Sequence, residues 1–367
     1  MNQPSPREWK PRSAELLLAC EDLTANLGFF VERLGLRVET IFPADAPRVC
    51  VLAGYGLRLR LQRGAEQAPV SLRIECELAP DKDRELIAPN GTRILFVPQS
   101  VGYELPPLEQ EFVHTRLSEK AWGAGRAEMR YRDLIPGRQG GRFIASHIQI
   151  KAGGEVPDYV HFHRVRFQMI YCAKGWARLV YEDQGEPFLF EAGDCVLQPP
   201  EIRHRVLEAS AGLEVIEIGC PAEHATCGDL ELELPTQRLQ PERDFSGQRF
   251  LHHRASAAAW SPAALPGFEQ REFGMLQASA GLAGAQVLRA TGPGDGRWYR
   301  HDAEFHFLYV LHGKPSFERR DEQLLELQGG DALVIPAGLE HRLRGLSQSC
   351  ELLQVSLPGA LELQACD

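Results

Sequence analysis

The chain has 367 residues, 44% of them hydrophobic and 25% charged, with a net charge of −10, as expected for a soluble globular protein of two or three domains. Its Lys and Arg are scattered without a basic run, which excludes nucleic acid and an anionic membrane surface as main partners, since both need a basic footprint. No stretch nears the roughly 20 consecutive apolar residues of a membrane span. The polar, proline-broken opening lacks an apolar signal core, and the nine cysteines have no C-x-x-C spacing, so they read as reduced thiols of a cytoplasmic protein.

In chain order, residues 14–20 predict a strand. Asp22 then caps a helix that carries Leu23, Leu27, Phe30, Val31 and Leu34 as its apolar stripe and ends at Gly35. Strands follow at 36–42, 48–52 and 57–61, the last alternating Leu with Arg. This βαβββ order, with Asn26 to Leu36 and the closing stretch Pro89 to Val97, resembles one module of the glyoxalase and extradiol-dioxygenase superfamily, the vicinal oxygen chelate fold. A second module opens at 70–77, but 78–88 leaves little room for its helix. The resemblance implies metal ligands at positions that here hold Glu15 and Leu95. Leu95 cannot coordinate, so residues 1–104 read as a structural or interface domain without metal.

Residues 105–128 read as a linker, with a Leu-Pro-Pro turn at 105–107 and a short helix from Glu109 to Trp122. The chain then turns into glycine-punctuated strands that occur twice. His161, Phe162, His163, Gln168 and Gly175 recur 138 residues later as Tyr299, Arg300, His301, His306 and Gly313. Gly193, Pro199 and His204 recur 137 residues later as Gly330, Pro336 and His341. The copies also begin alike, Met129 to Leu134 against Phe268 to Phe273, and Gly141 to Ile150 matches Gly281 to Arg289. The domains are thus placed at 129–232 and 265–367, with a linker at 233–264 in which His252 and His253 are taken as solvent-exposed.

Alternate residues of a strand share a face, so His161 and His163 can reach one atom together, and His204 joins them only if the strands close into a barrel. The frame H-x-H-x4-(E/Q)-x6-G followed by G-x5-P-x-G-x2-H resembles the cupin family, and its occurrence in two copies implies a bicupin. The expected fold is therefore mainly β: two tandem cupin barrels, or double-stranded β-helix jelly rolls, preceded by a small α+β domain. The resemblance implies metal at His161, His163 and His204 in the first barrel, with Gln168 a fourth, weaker oxygen donor or an outer hydrogen bonder, and at His301, His306 and His341 in the second, where Tyr299 costs a ligand and Glu304 or Tyr299 adds an oxygen. The metal is a divalent ion, iron being favoured and nickel, zinc, manganese, copper and cobalt the alternatives. Gln168 replaces the family's carboxylate and leaves the ion's charge uncompensated, which favours a small anionic, chelating substrate. Glu201 and Glu208 depart from the family's glycine and asparagine.

Arg164 and Arg166 flank the histidines and can meet a substrate carboxylate. His147 is a candidate for proton transfer if its strand turns it inward, where it shares a face with Ala145 and Gln149. Phe143, Ile170, Leu197 and Val206 are expected to make the water-excluding wall. The reading is a mononuclear metal dioxygenase acting on an oxygenated acid, enol or phenol. An isomerase using the same cation, a non-enzymatic metabolite sensor and catalysis by the N-terminal domain are the alternatives, and a homodimer is the expected assembly.

Overall fold

The computed structural model describes residues 14–43, 46–65, 70–76, 85–98, 102–118, 122–124, 129–320, 322–346 and 349–366. The chain divides into two compact units, Met1–Val101 and Gly102–Asp367. No helix among the described residues is long and apolar enough to cross a membrane.

The first unit opens with strand β1 (Leu16–Cys20) and helix α1 (Leu23–Gly28), whose start is capped by the Asp22 carboxylate accepting from the Ala25 N–H at 3.0 Å. The chain continues as a π-helical turn through Phe29–Arg33, so the expected helix changes its winding before Gly35 (φ +71°) releases it. Strands β2 (Arg37–Phe42), β3 (Val49–Gly54) and β4 (Leu57–Arg63) complete a sheet ordered β1-β4-β3-β2, with β1 parallel to β4. A separate sheet holds β5 (Ser71–Cys76), β6 (Glu85–Ile87) and β7 (Arg93–Pro98). Glu15 pairs with Arg58 and Arg60, and Leu95 lies in β7. Of 78–88, where the sequence leaves little room for the second module's helix, 78–84 lie outside the described residues and Glu85–Ile87 is strand β6.

The second unit is two β-barrels. Its strands begin with β8 (Val113–Thr115), β9 (Gly123–Ala124), β10 (Arg130–Asp133), β11 (Ile144–Ile150), β12 (Gly154–Glu155), β13 (His161–His163) and β14 (Phe167–Lys174). They continue with β15 (Trp176–Tyr181), β16 (Phe188–Glu191), β17 (Cys195–Leu197), β18 (His204–Ala209), β19 (Leu213–Cys220), β20 (Thr226–Gly228) and β21 (Leu251–His253). The second copy runs β22 (Ser261–Pro262), β23 (Phe268–Glu272), β24 (Gly284–Ala290), β25 (Trp298–Arg300), β26 (Phe305–His312) and β27 (Ser316–Arg319). It ends with β28 (Leu325–Glu326), β29 (Ala332–Val334), β30 (His341–Arg344), β31 (Glu351–Leu357) and β32 (Gln364–Cys366). The first barrel faces a sheet ordered β21-β17-β14-β19-β11-β10-β9 with one ordered β16-β15-β18-β13-β20. The second repeats this as β8-β29-β26-β31-β24-β23-β22 and β28-β27-β30-β25-β32.

The edge strands are exchanged. β8 precedes the first barrel in sequence yet pairs with β29 of the second, while β21 precedes the second barrel and pairs with β17 of the first. The same contacts seat both arms. His252 meets Asp194 at 3.2 Å and His114 meets Asp331 at 3.5 Å, while those aspartates also accept the backbone N–H of Ala255 and Leu117. Gly193 (φ +94°) and Gly330 (φ +92°) make the close approach: an added Cβ would lie 2.8 Å from Ala255 and 3.0 Å from Leu117. Three expectations are corrected here. The stretch 109–118 is no helix, because Val113 to Thr115 docks as a strand arm; Trp122 likewise lies outside any helix. His252 and His253 are half-buried by the barrel they edge rather than exposed: the His252 side chain is 9% accessible and His253 Nε2 is buried without a partner.

A shared apolar core joins the barrels. Phe143, Phe167, Met169 and Leu197 of the first pack with Phe273, Phe305, Phe307 and Val355 of the second, and the rings of Phe143 and Phe305 stack at 4.1 Å. Arg166 spans the same seam to Glu304 at 2.9 and 3.0 Å. Before His204, Glu201 takes φ +62° where Gly338 of the other copy takes φ +78°, so the family's glycine turn is kept and a glutamate is strained into it.

Gly330→Ala is expected to destabilise the protein by about 1–3 kcal/mol in urea unfolding, because the new methyl meets Leu117 while the backbone must stay left-handed. Burial, and then the charge of Arg271, hold His253 down at about 4. Its neutral form is therefore the one the fold favours. The stability it contributes is complete above its unfolded value of roughly 6.5 and is lost as pH falls towards about 4. Thermal midpoints measured across that window should fall for the native chain and fall less steeply for His253→Gln.

Candidate metal centre and cavity

Three imidazoles converge in the first barrel. β13 turns His161 and His163 to one face, and the His161 to His204 register of β13 with β18 brings the third ring beside them. Ring centroids lie 5.2 Å apart for His161 and His163, 4.3 Å for His161 and His204, and 5.3 Å for His163 and His204. The nitrogens they offer are within 4.8 Å of one another, and among the described residues they are the one such group of histidine, cysteine or carboxylate.

Their tautomers are set from outside. Nδ1 of His161 donates to the Tyr159 carbonyl at 2.8 Å and Nδ1 of His204 to the Ile202 carbonyl at 3.0 Å. The Thr226 hydroxyl meets Nδ1 of His163 at 3.0 Å. Nε2 of His161 and His204 is thereby left as a lone-pair donor, and a Thr226 oxygen that accepts does the same for His163. A set of neutral imidazole nitrogens suits a divalent transition metal by both charge and softness.

Gln168 is buried behind this trio and is held in a chain rather than left as a free ligand. Tyr181 donates to Gln198 at 2.6 Å, the Gln198 amide donates to Gln168 Oε1 at 3.2 Å, and the Gln168 amide donates to Glu217 at 2.5 Å. Gln198 also lies 3.4 Å from Nε2 of His204. Burial pushes the Tyr181 hydroxyl up, so it stays protonated and remains the donor at the head of the chain. Glu217 thus supplies, through one amide, a negative charge that Gln168 itself lacks. It was missed because it stands on β19, opposite Ile170 of β14, and no spacing rule ties it to the histidine frame.

His224 was missed as well. It lies between β19 and β20, 5.4 Å ring to ring from His163, and its Nδ1 meets the Pro221 carbonyl at 3.0 Å, which leaves Nε2 as an acceptor. The signal was present: β20, two residues later, pairs with the ligand strand β13.

These groups open on a cavity of about 480 Å³ lined by His161, His163, Gln168, His204, Glu217 and His224 at one end and by aliphatic side chains beyond. His147 and Arg164 do not line it. Along β11 the inward residues are Ile144, Ser146, Ile148 and Ile150, so the opposite parity sends His147 into the seam, where it contacts Arg132 at 3.1 Å, Glu214 at 3.0 Å and Tyr309 at 3.4 Å. Arg164 leans on Glu201 at 3.4 Å and Arg166 is spent on Glu304. Of the expected wall, Ile170 and Val206 face the cavity whereas Phe143 and Leu197 belong to the seam.

The second barrel holds its histidines differently. Ring centroids are 4.8 Å apart for His301 and His306, 6.2 Å for His301 and His341, and 6.1 Å for His306 and His341. Nδ1 of His301 accepts the Ala303 N–H at 3.1 Å, so its proton sits on the buried, unpartnered Nε2. Nε2 of His306 accepts from the Gln354 amide at 3.0 Å, an amide fixed in turn by Gln286 at 2.6 Å. Only His341 keeps the pattern of the first barrel, donating to the Leu339 carbonyl at 2.9 Å. Desolvation holds all three imidazoles low, His341 at about 4, so they are neutral, yet two of them do not present a free lone pair to a common point. The space beside His306 and His341 is about 20 Å³, and a neighbouring hollow of about 210 Å³ touches none of the three. Tyr299 donates to Asp295 at 2.6 Å and Glu304 is held by Arg166. The oxygens expected to complete this second site are therefore engaged elsewhere.

Residues 287–356 match the family model described as Cupin domain. No curated protein matches the chain in sequence. Among solved structures, a mutant of the Bacillus subtilis oxalate decarboxylase superposes with a TM-score of 0.52 at 11% identity, over 73% of this chain and 81% of that one. The Lactobacillus farciminis oxalate decarboxylase in complex with formate gives 0.51 at 13% identity, over 72% and 89%. At these identities the likeness is one of fold. By that fold and by the Cupin domain match within the second copy, the two β-barrels of this chain are tandem cupin barrels, a bicupin architecture.

Proposed function

We propose that the first barrel binds one divalent metal ion through His161, His163 and His204 and acts as a mononuclear metal oxidoreductase on a chelating oxygenated acid, enol or phenol. The observation that carries this reading is the shared tautomer: the outer nitrogens of His161 and His204 are tied to fixed backbone acceptors and that of His163 to the Thr226 hydroxyl, and the inner nitrogens lie within 4.8 Å of one another at the end of a cavity. Iron is the favoured ion. When bound, it would supply Lewis acidity and one-electron chemistry towards dioxygen.

The chain's own residues do the remaining work. The amide chain from Tyr181 to Glu217 holds Gln168 and Gln198 in single orientations behind the histidines, so their amide groups meet a bound oxygen acid without reorganising. Glu217 offsets part of the ion's charge. His224 offers an acceptor beside His163, placed to take a hydrogen bond from a substrate hydroxyl. Aliphatic walls beyond them exclude water. The second barrel serves as the structural partner that shares the seam and exchanges an arm.

Elemental analysis of the protein should find the ion in the native chain and in His301→Ala, and lose it in His161→Ala. Equal metal in all three, or none in any, would refute the assignment. Oxygen uptake with a panel of chelating acids and phenols separates an oxidoreductase from an isomerase that uses the same cation: turnover without uptake decides for the isomerase. His224→Phe is expected to leave metal content intact and to raise KM about tenfold, the loss of one hydrogen bond to a substrate, or ~1.4 kcal/mol.

A further inference from the structure

We infer that the natural ligand of the first barrel is an amphiphile, with a chelating acid or enol head at the histidines and an apolar body, aryl or branched alkyl, lying along the barrel axis. The inference rests on the metal reading for the head alone. Polarity in the cavity is graded along the strands. On β19 the inward residues run from Glu217 through Val215 to Leu213, paired across to Ser146, Ile148 and Ile150 of β11. On β18 and β15 they run from His204 and Tyr181 through Val206 and Leu179 to the level of Ala177. At roughly 3.3 Å per residue, the four steps from Glu217 to Leu213 span about 13 Å, several times the length of a two-carbon acid.

Charge is confined to the head end. Among the described side chains that line the cavity Arg205 is the one Arg or Lys, and it follows His204 directly in sequence. Beyond Glu217 the lining is Ile148, Ile150, Leu213 and Val215 with Tyr131 and Met129, whose own hydroxyl and sulfur meet at 3.6 Å. Among the described residues there, none would receive a second carboxylate. A cavity of about 480 Å³ falls in the range of sites that enclose drug-sized ligands, and a small dicarboxylate would leave most of it as unfilled apolar space.

The second barrel is an internal control. At matched register Ile148, Ile170, Leu179 and Val206 become Leu288, Leu308, Phe317 and Leu343. Phe317 is fully buried and stacks on His341 at 5.5 Å. The space beside His306 and His341 shrinks to about 20 Å³, and what remains is a separate hollow of about 210 Å³ lined in part by Gln270, Glu272, Gln286 and Gln354, less than half the volume of the first barrel's cavity. The same strands can thus close on themselves with ordinary side chains, so the hollow of the first barrel is a property of its residues and not of the fold.

The test is a calorimetric series of straight-chain 2-oxo acids from pyruvate upward, with phenylpyruvate and oxalate, on protein of measured metal content. Affinity should rise about fourfold per added methylene until the tail reaches Leu213, and oxalate should bind no better than pyruvate. Ala177→Phe should flatten the rise at the long end, and Leu213→Ala, which deepens the cavity, should extend it; near-ultraviolet circular dichroism checks that both variants are folded. A flat series, tightest binding by oxalate, or no binding at any length to metal-loaded protein overturns the inference and leaves the metal reading standing. A chain-length dependence that persists in His161→Ala, read with a fluorescent fatty acid, together with native protein devoid of metal, upholds the apolar site and overturns the metal reading instead.

Discussion

A hydrogen bond two residues long separates the two sets of histidines. In His161 and His204 the ring Nδ1 turns back to the carbonyl of the residue two positions earlier, Tyr159 and Ile202, and the ring is thereby fixed with its other nitrogen inward and unprotonated. His341 makes the same bond to Leu339. His301 does the reverse, taking an N–H from Ala303, and that single change of partner turns a donor of electrons into a donor of a proton. Nε2 of His306 takes the Gln354 amide at 3.0 Å, a closer contact than the 3.4 Å between Gln198 and Nε2 of His204. A count of histidines, three in each copy, is therefore a poor measure of coordination; which backbone group each outer nitrogen meets is the better one.

The fold and the trio were legible in the sequence because each depends on local, periodic quantities. The H-x-H spacing sets a common face, the glycines and prolines set the turns, and the constant separation between copies tied His204 to His161 although the residues are distant in the chain. What the spacing did not carry was anything decided by register or side. Parity placed His147 with Ala145 and Gln149, but only the closed barrel shows that this parity faces the seam. Glu217 meets Gln168 through a neighbouring strand, and His224 reaches the site because β20 adds to β13. The exchanged arms were hidden for a related reason: Val113 to Thr115 and Leu251 to His253 are short and carry no strong alternation, so their strand character comes from the edge they dock on.

The arms also explain why a barrel without a competent histidine set is retained. Each barrel would otherwise end in an open sheet edge beside β17 or β29, a row of unpaired backbone groups that invites association. Each copy covers the other's edge, and the aspartate that receives the arm, Asp194 or Asp331, binds both the incoming histidine and an incoming backbone N–H. With the stacked Phe143 and Phe305 and the Arg166–Glu304 pair in the seam, neither barrel can be removed without exposing the other.

Division of labour between the copies follows from that dependence. The second barrel carries Tyr299 where the first has His161 and fills the space beside His306 and His341 with Phe317 and Leu308, because its contribution lies on its outer faces. The first is under the opposite constraint: it must keep apolar volume unfilled, which a lone domain would find costly, since each side chain missing from a core forfeits its burial and its contacts. The densely packed neighbour, the shared core and the exchanged arm supply the stability against which the open cavity can be carried. In this chain the filled barrel is what allows the hollow one to stay hollow.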